Sequence, residues 1–315
     1  MATADAEVSR RRAWLMAARP QTLPAGAAPV VVGTGVAVAG GVFAPLPAVA
    51  ALVGALLIQV GTNFANDYYD AVRGADTEDR EGFTRVTAGG LIEPASVKRA
   101  MYATFGLAVL SGTYLVYVGG LPIVVVGLAS VAAGILYTGG PYPFGYYGLG
   151  DLFVFVFFGL VAVTGTFYVQ AASVLAEPLS MGIPPGTVTA AAVTASLPAA
   201  GLSTCILVVN NIRDRHTDAE AGKRTLAVML GPVLSRVEFL AMVGMAYVVP
   251  VVFWLDGYSS AVLLPLATLP LAAMVTKQVL EREGAALNDT LERVGQTLAA
   301  HSLLFAVGLA LPTVL

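Results

Sequence analysis

The 315-residue chain has only one cysteine and two histidines. Cys205 stands alone inside an apolar run, so there is no disulfide framework. Charge is equally scarce. Lys, Arg, Asp and Glu make up 12% of the residues against 57% hydrophobic ones, and the mean hydropathy is +0.78. That balance excludes a soluble domain of this size and identifies an integral membrane protein. The net charge of −3 is small and segregated along the chain, so it indicates no nucleic-acid partner.

What is present is a series of apolar runs of the length that crosses a bilayer, about 17 to 25 residues at helical rise. Nine can be placed: Leu23 to Val42, Leu46 to Asn66, Ala100 to Val118, Pro122 to Thr138, Asp151 to Leu175, Val188 to Asn210, Val237 to Leu255, Ala261 to Val279 and Leu298 to Val314. With nine spans, all 17 Lys and Arg residues fall on the side that carries the amino terminus. The opposite side shows only Glu177 and Asp256. Basic loops are cytoplasmic, and one span more or fewer in the middle would scatter these charges across both faces. Three Arg before the first run could imitate a signal peptide ending near Ala39, but Pro20, Pro24 and Pro29 favour a retained, irregular first span. The expectation is one all-α domain over residues 1–315, a nine-helix membrane bundle around a central cavity. It would carry cap segments on the cytoplasmic side and a cytoplasmic segment over residues 1–20.

Polar chemistry concentrates at two span ends. The second span carries Gln59, Asn63, Asn66, Asp67 and Asp70, whose spacing keeps them within a helical stripe about 100° wide. Gln59 and Asn63 read equally as interhelical hydrogen bonders and as substrate contacts. Asp76, Glu78 and Asp79 follow, so five acids stand beside a run, Leu46 to Ala65, with no charge at all. Such a cluster is costly unless a cation neutralises it. The connection from Arg73 to Arg99 is long for a helical hairpin, as a lid would be. At the end of the sixth span, Asn210, Asn211, Arg213, Asp214 and Asp218 form a second cluster, followed by Lys223 and Arg224. Asn210, Asp214 and Asp218 are four apart and so share a helix face. Asn66 to Asp70 repeats the same Asn-x-x-x-Asp core four spans earlier. A loop between the fourth and fifth spans holds Tyr137, Tyr142, Tyr146 and Tyr147 with five glycines, and its aromatic faces suit a cation. The segment from Arg19 to Pro24 reads as a basic, proline-rich interface anchor, His216 as a solvated loop residue, and His301 as an interhelical hydrogen bonder.

Asp and Asn clusters without Cys or His partners are hard oxygen sites that suit Mg²⁺. Mg²⁺ takes few protein carboxylates and completes its shell with water and substrate phosphate. Lys223, Arg224, Arg73 and Arg213 supply donors for the same anion. A diphosphate so held becomes a good leaving group, and an isoprenoid diphosphate would keep its tail in lipid while its head meets the ions.

Asn66-Asp67-x-x-Asp70 with Asp214-x-x-x-Asp218 resembles the paired aspartate motifs of the UbiA-type intramembrane prenyltransferases, and the resemblance covers nearly the whole chain. The flanking Gly74-Ala75-Asp76, Tyr137-Thr138-Gly139-Gly140-Pro141, Gly148-Leu149-Gly150 and Ala221-Gly222-Lys223-Arg224 look most like the members that prenylate 1,4-dihydroxy-2-naphthoate. The opening Ala18-Arg19-Pro20-x-Thr22-Leu23-Pro24 fits them too. The resemblance implies a cell-membrane enzyme with its site on the cytoplasmic face. It implies a polyprenyl diphosphate donor, a dihydroxynaphthoate acceptor and two Mg²⁺ ions bridging the diphosphate. One ion would sit on Asn66, Asp67, Asp70 and Asp76, the other on Asp214 and Asp218. Many relatives carry a further Asp four residues after Asp70, where this chain has Gly74, which leaves that role to Asp76. Lys223 and Arg73 would hold the diphosphate, with Gln59, Asn63, Asn66, Asn210, Asn211, Arg213 and Arg224 as further substrate contacts. Tyr137 and Tyr142 would shield the cation. Alternatives are another acceptor (4-hydroxybenzoate, homogentisate or a lipid alcohol) and a divalent-cation transporter, which calls for carboxylates nearer mid-membrane. Tail length and oligomeric state are not legible in the sequence.

Overall fold

Proline marks where the helices begin. Pro24, Pro45, Pro94 and Pro122 each fall at the first or second position of a helix, where a missing N–H breaks no intrahelical bond. Threonines cap two others, Thr189 accepting from the Ala192 N–H at 3.1 Å and Thr225 from the Val228 N–H at 3.3 Å. The computed structural model describes residues 8–74 and 85–314. In chain order its helices are α1 (Arg10–Ala18), α2 (Leu23–Ala39), α3 (Pro45–Val72), α4 (Pro94–Gly119) and α5 (Leu121–Leu136). There follow α6 (Gly150–Leu175, with a π-helical turn over Val156–Val161), α7 (Ala190–Arg213), α8 (Arg215–Glu220), α9 (Leu226–Leu255), α10 (Ser260–Glu281) and α11 (Asn288–Val314). No strand occurs among the described residues.

Among the described residues eight helical stretches are long and apolar enough to cross a membrane, α1 and α2 counting together as Arg10–Ala39. The fourth expected span coincides with α5, which at 16 residues is shorter than the rest and rises about 24 Å. Several helices outrun their apolar runs. Helix α4 starts at Pro94, α9 at Leu226 and α11 at Asn288, before the expected Ala100, Val237 and Leu298. Hydropathy reports where lipid begins, whereas the helical hydrogen-bond ladder continues into the polar interface. Large apolar side chains such as Leu107, Leu110, Val125, Leu128, Val233 and Leu255 are exposed around the bundle, the surface a multi-pass membrane protein turns to acyl chains.

Helix α2 packs against α3, α6 and α7 and along α11, so the first and last spans close the bundle. Val32, Phe167, Val249, Phe253 and Phe305 fill that junction. At the corner between α4 and α5, Gly120 has φ 68°, and a Cβ there would lie 1.9 Å from the Ser180 carbonyl oxygen, so only glycine fits. A second core fastens two covering segments over the end of α3. Ala13 and Ala17 of α1 and Val86 of the segment before α4 are buried with Phe64, Val97 and Met101. Trp14 meets Phe64 edge-on at 5.9 Å. Residue 85 onward therefore lies over the site as the expected cap does. Asp76, Glu78 and Asp79 lie outside the described residues.

Candidate active site

A cavity of about 640 Å³ runs between the helices. Val116, Ile123, Val126, Phe157, Val161 and Val169 contribute to an apolar wall. Its polar end is built from the two sequence clusters, which the bundle brings to face one another. From α3 come Asn66 and Asp70; from α7, the turn after it and α8 come Asn210, Asn211, Asp214 and Asp218. Helix α7 stops at Arg213, yet Asp214 N–H still donates to Asn210 O at 3.0 Å and Asp218 N–H to Asp214 O at 2.8 Å. Helical spacing thus survives the break and keeps the three side chains on the cavity side.

Each carboxylate has a cationic neighbour. Arg85 donates to Asp70 Oδ2 at 2.6 Å, and the Tyr146 hydroxyl donates to Asp70 Oδ1 at 2.6 Å. Lys223 Nζ stands 3.4 Å from Asp218. Arg213 grips both oxygens of Asp214 at 2.7 Å, the bidentate geometry a guanidinium favours. Tyr146 ties the clusters together, because its ring lies under Lys223 at 4.9 Å and Arg73 at 5.5 Å while its hydroxyl holds Asp70. Its backbone carbonyl also accepts from the Arg224 N–H at 2.8 Å. Tyr137 lines the cavity between two glycines. A Cβ at Gly145 or at Gly150 would come within 2.9 Å of its ring or hydroxyl, so both positions must be bare for the ring to sit there.

Several residues selected from the sequence are elsewhere. Asp67 is buried but turned from the cavity, where its carboxylate accepts from the Thr87 N–H at 3.2 Å and from the Thr87 hydroxyl. It fastens the cap rather than facing a ligand, because it lies one position, about 100°, around the helix from Asn66. Arg213 is consumed within the protein, donating to Asp214, Asn210 and Asn288. Asn63 and Gln59 do line the cavity, but the Asn63 amide is engaged between helices, donating to Ala18 O and Thr22 Oγ1 and accepting from Gln59. Arg73 reaches the Gly140 carbonyl at the rim, while Arg224 and Tyr142 are exposed, Tyr142 by 73%. His216 is exposed beside Arg215, and His301 bonds Ala246 O across helices, as expected of each. The segment around Arg19 and Thr22, read as an interface anchor, instead forms part of the cavity wall.

Sequence reasoning missed Arg85 and Tyr146. Arg85 sits in a long loop with no pattern to aim it, and Tyr146 is one of four tyrosines that composition cannot rank. Thr138, bonded to Asn66 Oδ1 at 2.9 Å, is a third. Thr87→Val removes the cap's hydroxyl bond to buried Asp67. It should cost about 1.5–3 kcal/mol, read as a lower unfolding temperature in detergent; an unchanged melt would show that the cap is not anchored there.

The sequence signature of the UbiA prenyltransferase family matches residues 27–289. The 1,4-dihydroxy-2-naphthoate octaprenyltransferase of Escherichia coli (strain K12) is 37% identical, with 98% of each chain covered. That of Mycobacterium tuberculosis (strain ATCC 25618 / H37Rv) is 38% identical over 94% of this chain and 96% of its own. Among solved structures, a UbiA homolog from Archaeoglobus fulgidus bound to GPP and Mg²⁺ superposes with a TM-score of 0.66 at 17% identity, covering 95% of this chain and 99% of that one.

Proposed function

The chain belongs to the UbiA prenyltransferase family, and we propose that it transfers a polyprenyl group from a polyprenyl diphosphate to 1,4-dihydroxy-2-naphthoate. Diphosphate and carbon dioxide leave, and the demethylmenaquinone skeleton forms. The observation that carries this reading is one cavity with an apolar wall and a polar end where two carboxylate–amide clusters face each other beside Arg85 and Lys223. The names of the bacterial relatives, at 37% and 38% identity over nearly full length, point to the same acceptor. The 17 basic residues on one side support a cell-membrane protein with its amino terminus and site on the cytoplasmic face.

The donor atoms fit a hard cation. Asn66, Asp70, Asn210, Asp214 and Asp218 present only oxygen ligands to the cavity, and no soft ligand accompanies them. Mg²⁺ takes few protein carboxylates and completes its shell from water and phosphate. Asn66 and Asp70, with Asp76 beyond the described residues, would hold one Mg²⁺, and Asp214 and Asp218 the other. Bound there, Mg²⁺ would stabilise the charge that develops on the departing diphosphate. Arg85 and Lys223 lie on the cavity wall, each beside an aspartate, and would donate to the diphosphate bound there. The faces of Tyr137 and Tyr146 stabilise the allylic cation, and the apolar wall keeps water from capturing it before the electron-rich naphthoate ring does. With the new C–C bond formed at the ring carbon that bears the carboxylate, the C–CO₂⁻ bond breaks and its electron pair restores the aromatic system, so that step needs no base.

The test is an assay in detergent with dihydroxynaphthoate, prenyl diphosphates of several lengths and MgCl₂. Prenylated product with carbon dioxide release is expected, falling at least about 100-fold with EDTA and returning with excess Mg²⁺. Turnover indifferent to the chelator would remove the metal from the reading. Product from 4-hydroxybenzoate or homogentisate alone would remove the naphthoate.

A further inference from the structure

One buried carboxylate belongs to neither cluster. Asp151 stands in the first turn of α6, is 4% exposed, and its Oδ1 has no hydrogen-bond partner among the described residues. An acid so placed is costly, because burial strips its hydration and no counter-charge replaces it. The helix N-terminus favours its negative charge, which compensates only in part. Glu238 of α9, the group from another span that feels the Asp151 charge, is itself an acid. Asp70 and Asp218 differ, since Arg85 stands beside the first and Lys223 beside the second.

What Asp151 stands beside is Tyr137. Gly150, the residue before it, leaves room for the Tyr137 hydroxyl, which would lie 2.9 Å from a Cβ at that position. Asp151 therefore follows directly on the seat of the phenol, and three residues further along the same helix face Val154 lines the cavity. Three carboxylates act electrostatically on Tyr137, and Asp151 does so more strongly than Asp70 or Asp218. With donor bound, the clustered acids are answered by Arg85, Lys223 and the hard cation, and Asp151 stays uncompensated. The positive charge that the reaction then creates is the allylic cation, against the ring that Asp151 adjoins. A ring face attracts a cation through its electron density, and a negative charge near the phenol strengthens that attraction. Resting on the reading of the protein as a prenyltransferase that ionises its donor, we propose that Asp151 is a positioning residue acting through Tyr137, its uncompensated charge polarising the phenol so that the ring face holds the allylic cation. The donor's C–O bond breaks with its electron pair on the diphosphate, and no bond or proton passes to Asp151.

The test compares wild type with Asp151→Asn, which keeps the shape of the side chain, and with Asp151→Ser should the amide variant fail to purify. Each is also made in a Tyr137→Phe background. Read out are kcat, the KM of each substrate, and the inhibition constants of geranyl-dimethylammonium, which mimics the cation, and of the uncharged hydrocarbon of the same shape, both with inorganic diphosphate and MgCl₂ present. Expected is a fall in kcat of about 10- to 100-fold with both KM values within about threefold of wild type. The ammonium should lose binding by about the same factor while the hydrocarbon binds as before. In the Tyr137→Phe background, removal of the carboxylate should cost no more than about threefold, because the group it acts through is gone. A kcat within about threefold of wild type, equal weakening of both inhibitors, or the full loss repeated in the Tyr137→Phe background overturns the assignment and leaves the function intact. Wild-type protein that makes no prenylated product from any aromatic acceptor overturns the function and the assignment with it.

Discussion

Asp70→Asn should lower turnover by about 10³-fold. Asp70 is the carboxylate on which the first cluster converges, accepting from Arg85 and from the Tyr146 hydroxyl and lining the cavity beside Asn66. The amide keeps the shape and one acceptor oxygen but removes the charge that a hard cation requires and that orders Arg85. Loss of a single preorganised electrostatic group at a site of charge development typically costs 10²–10³-fold, and here the same change touches a cation ligand and a diphosphate donor together. The effect should appear mainly in kcat, because Lys223 and the apolar wall still bind the donor. Steady-state kinetics over a Mg²⁺ titration decide the matter. Activity within a few-fold of wild type at any Mg²⁺ concentration would show that Asp70 is only Arg85's structural partner.

Asp214→Asn should abolish turnover and also destabilise the protein, by about 3–5 kcal/mol. The physical reason is Arg213, whose side chain is 1% exposed and which grips both oxygens of Asp214. Without that carboxylate the guanidinium is left with the amide oxygens of Asn210 and Asn288, and a buried charge without its counter-charge is expensive. Asp218→Asn supplies the contrast. Its partner Lys223 stands 3.4 Å away on the cavity wall, so this variant should lose activity with a much smaller shift in unfolding temperature. Equal melting temperatures for the two variants would refute the structural role assigned to the Arg213 pair.

These two aspartates also show how far the chain could be read unaided. That acids at the ends of the second and sixth spans belong together followed from the repeated Asn-x-x-x-Asp core and from the basic residues sharing one face, and the structure brings both clusters to one cavity. That Asp67 would turn aside to Thr87 while its neighbour Asn66 faces inward did not follow, since a stripe about 100° wide is broad enough to include residues on either edge. Arg213 and Lys223 looked alike as donors near an anion. One is a buried clamp and the other a wall residue, a difference set by the packing of α11, whose Asn288 reaches across 75 positions of sequence.

Membrane class, the apolar runs, the hard-oxygen character of the site and its confinement to one face all came from local properties: hydropathy over a bilayer's thickness, residue type, and spacing along one helix. Those quantities survive without tertiary contacts because lipid thickness and helical pitch set them. Which cations meet the carboxylates, which tyrosine bridges the clusters, and that Arg19 belongs to the cavity were decided only by the folded bundle. Arg85, Tyr146 and Arg19 come from a cap loop, an inter-span loop and the strained junction before α2. Loops carry no periodicity that aims a side chain, so their direction is set by what they pack against.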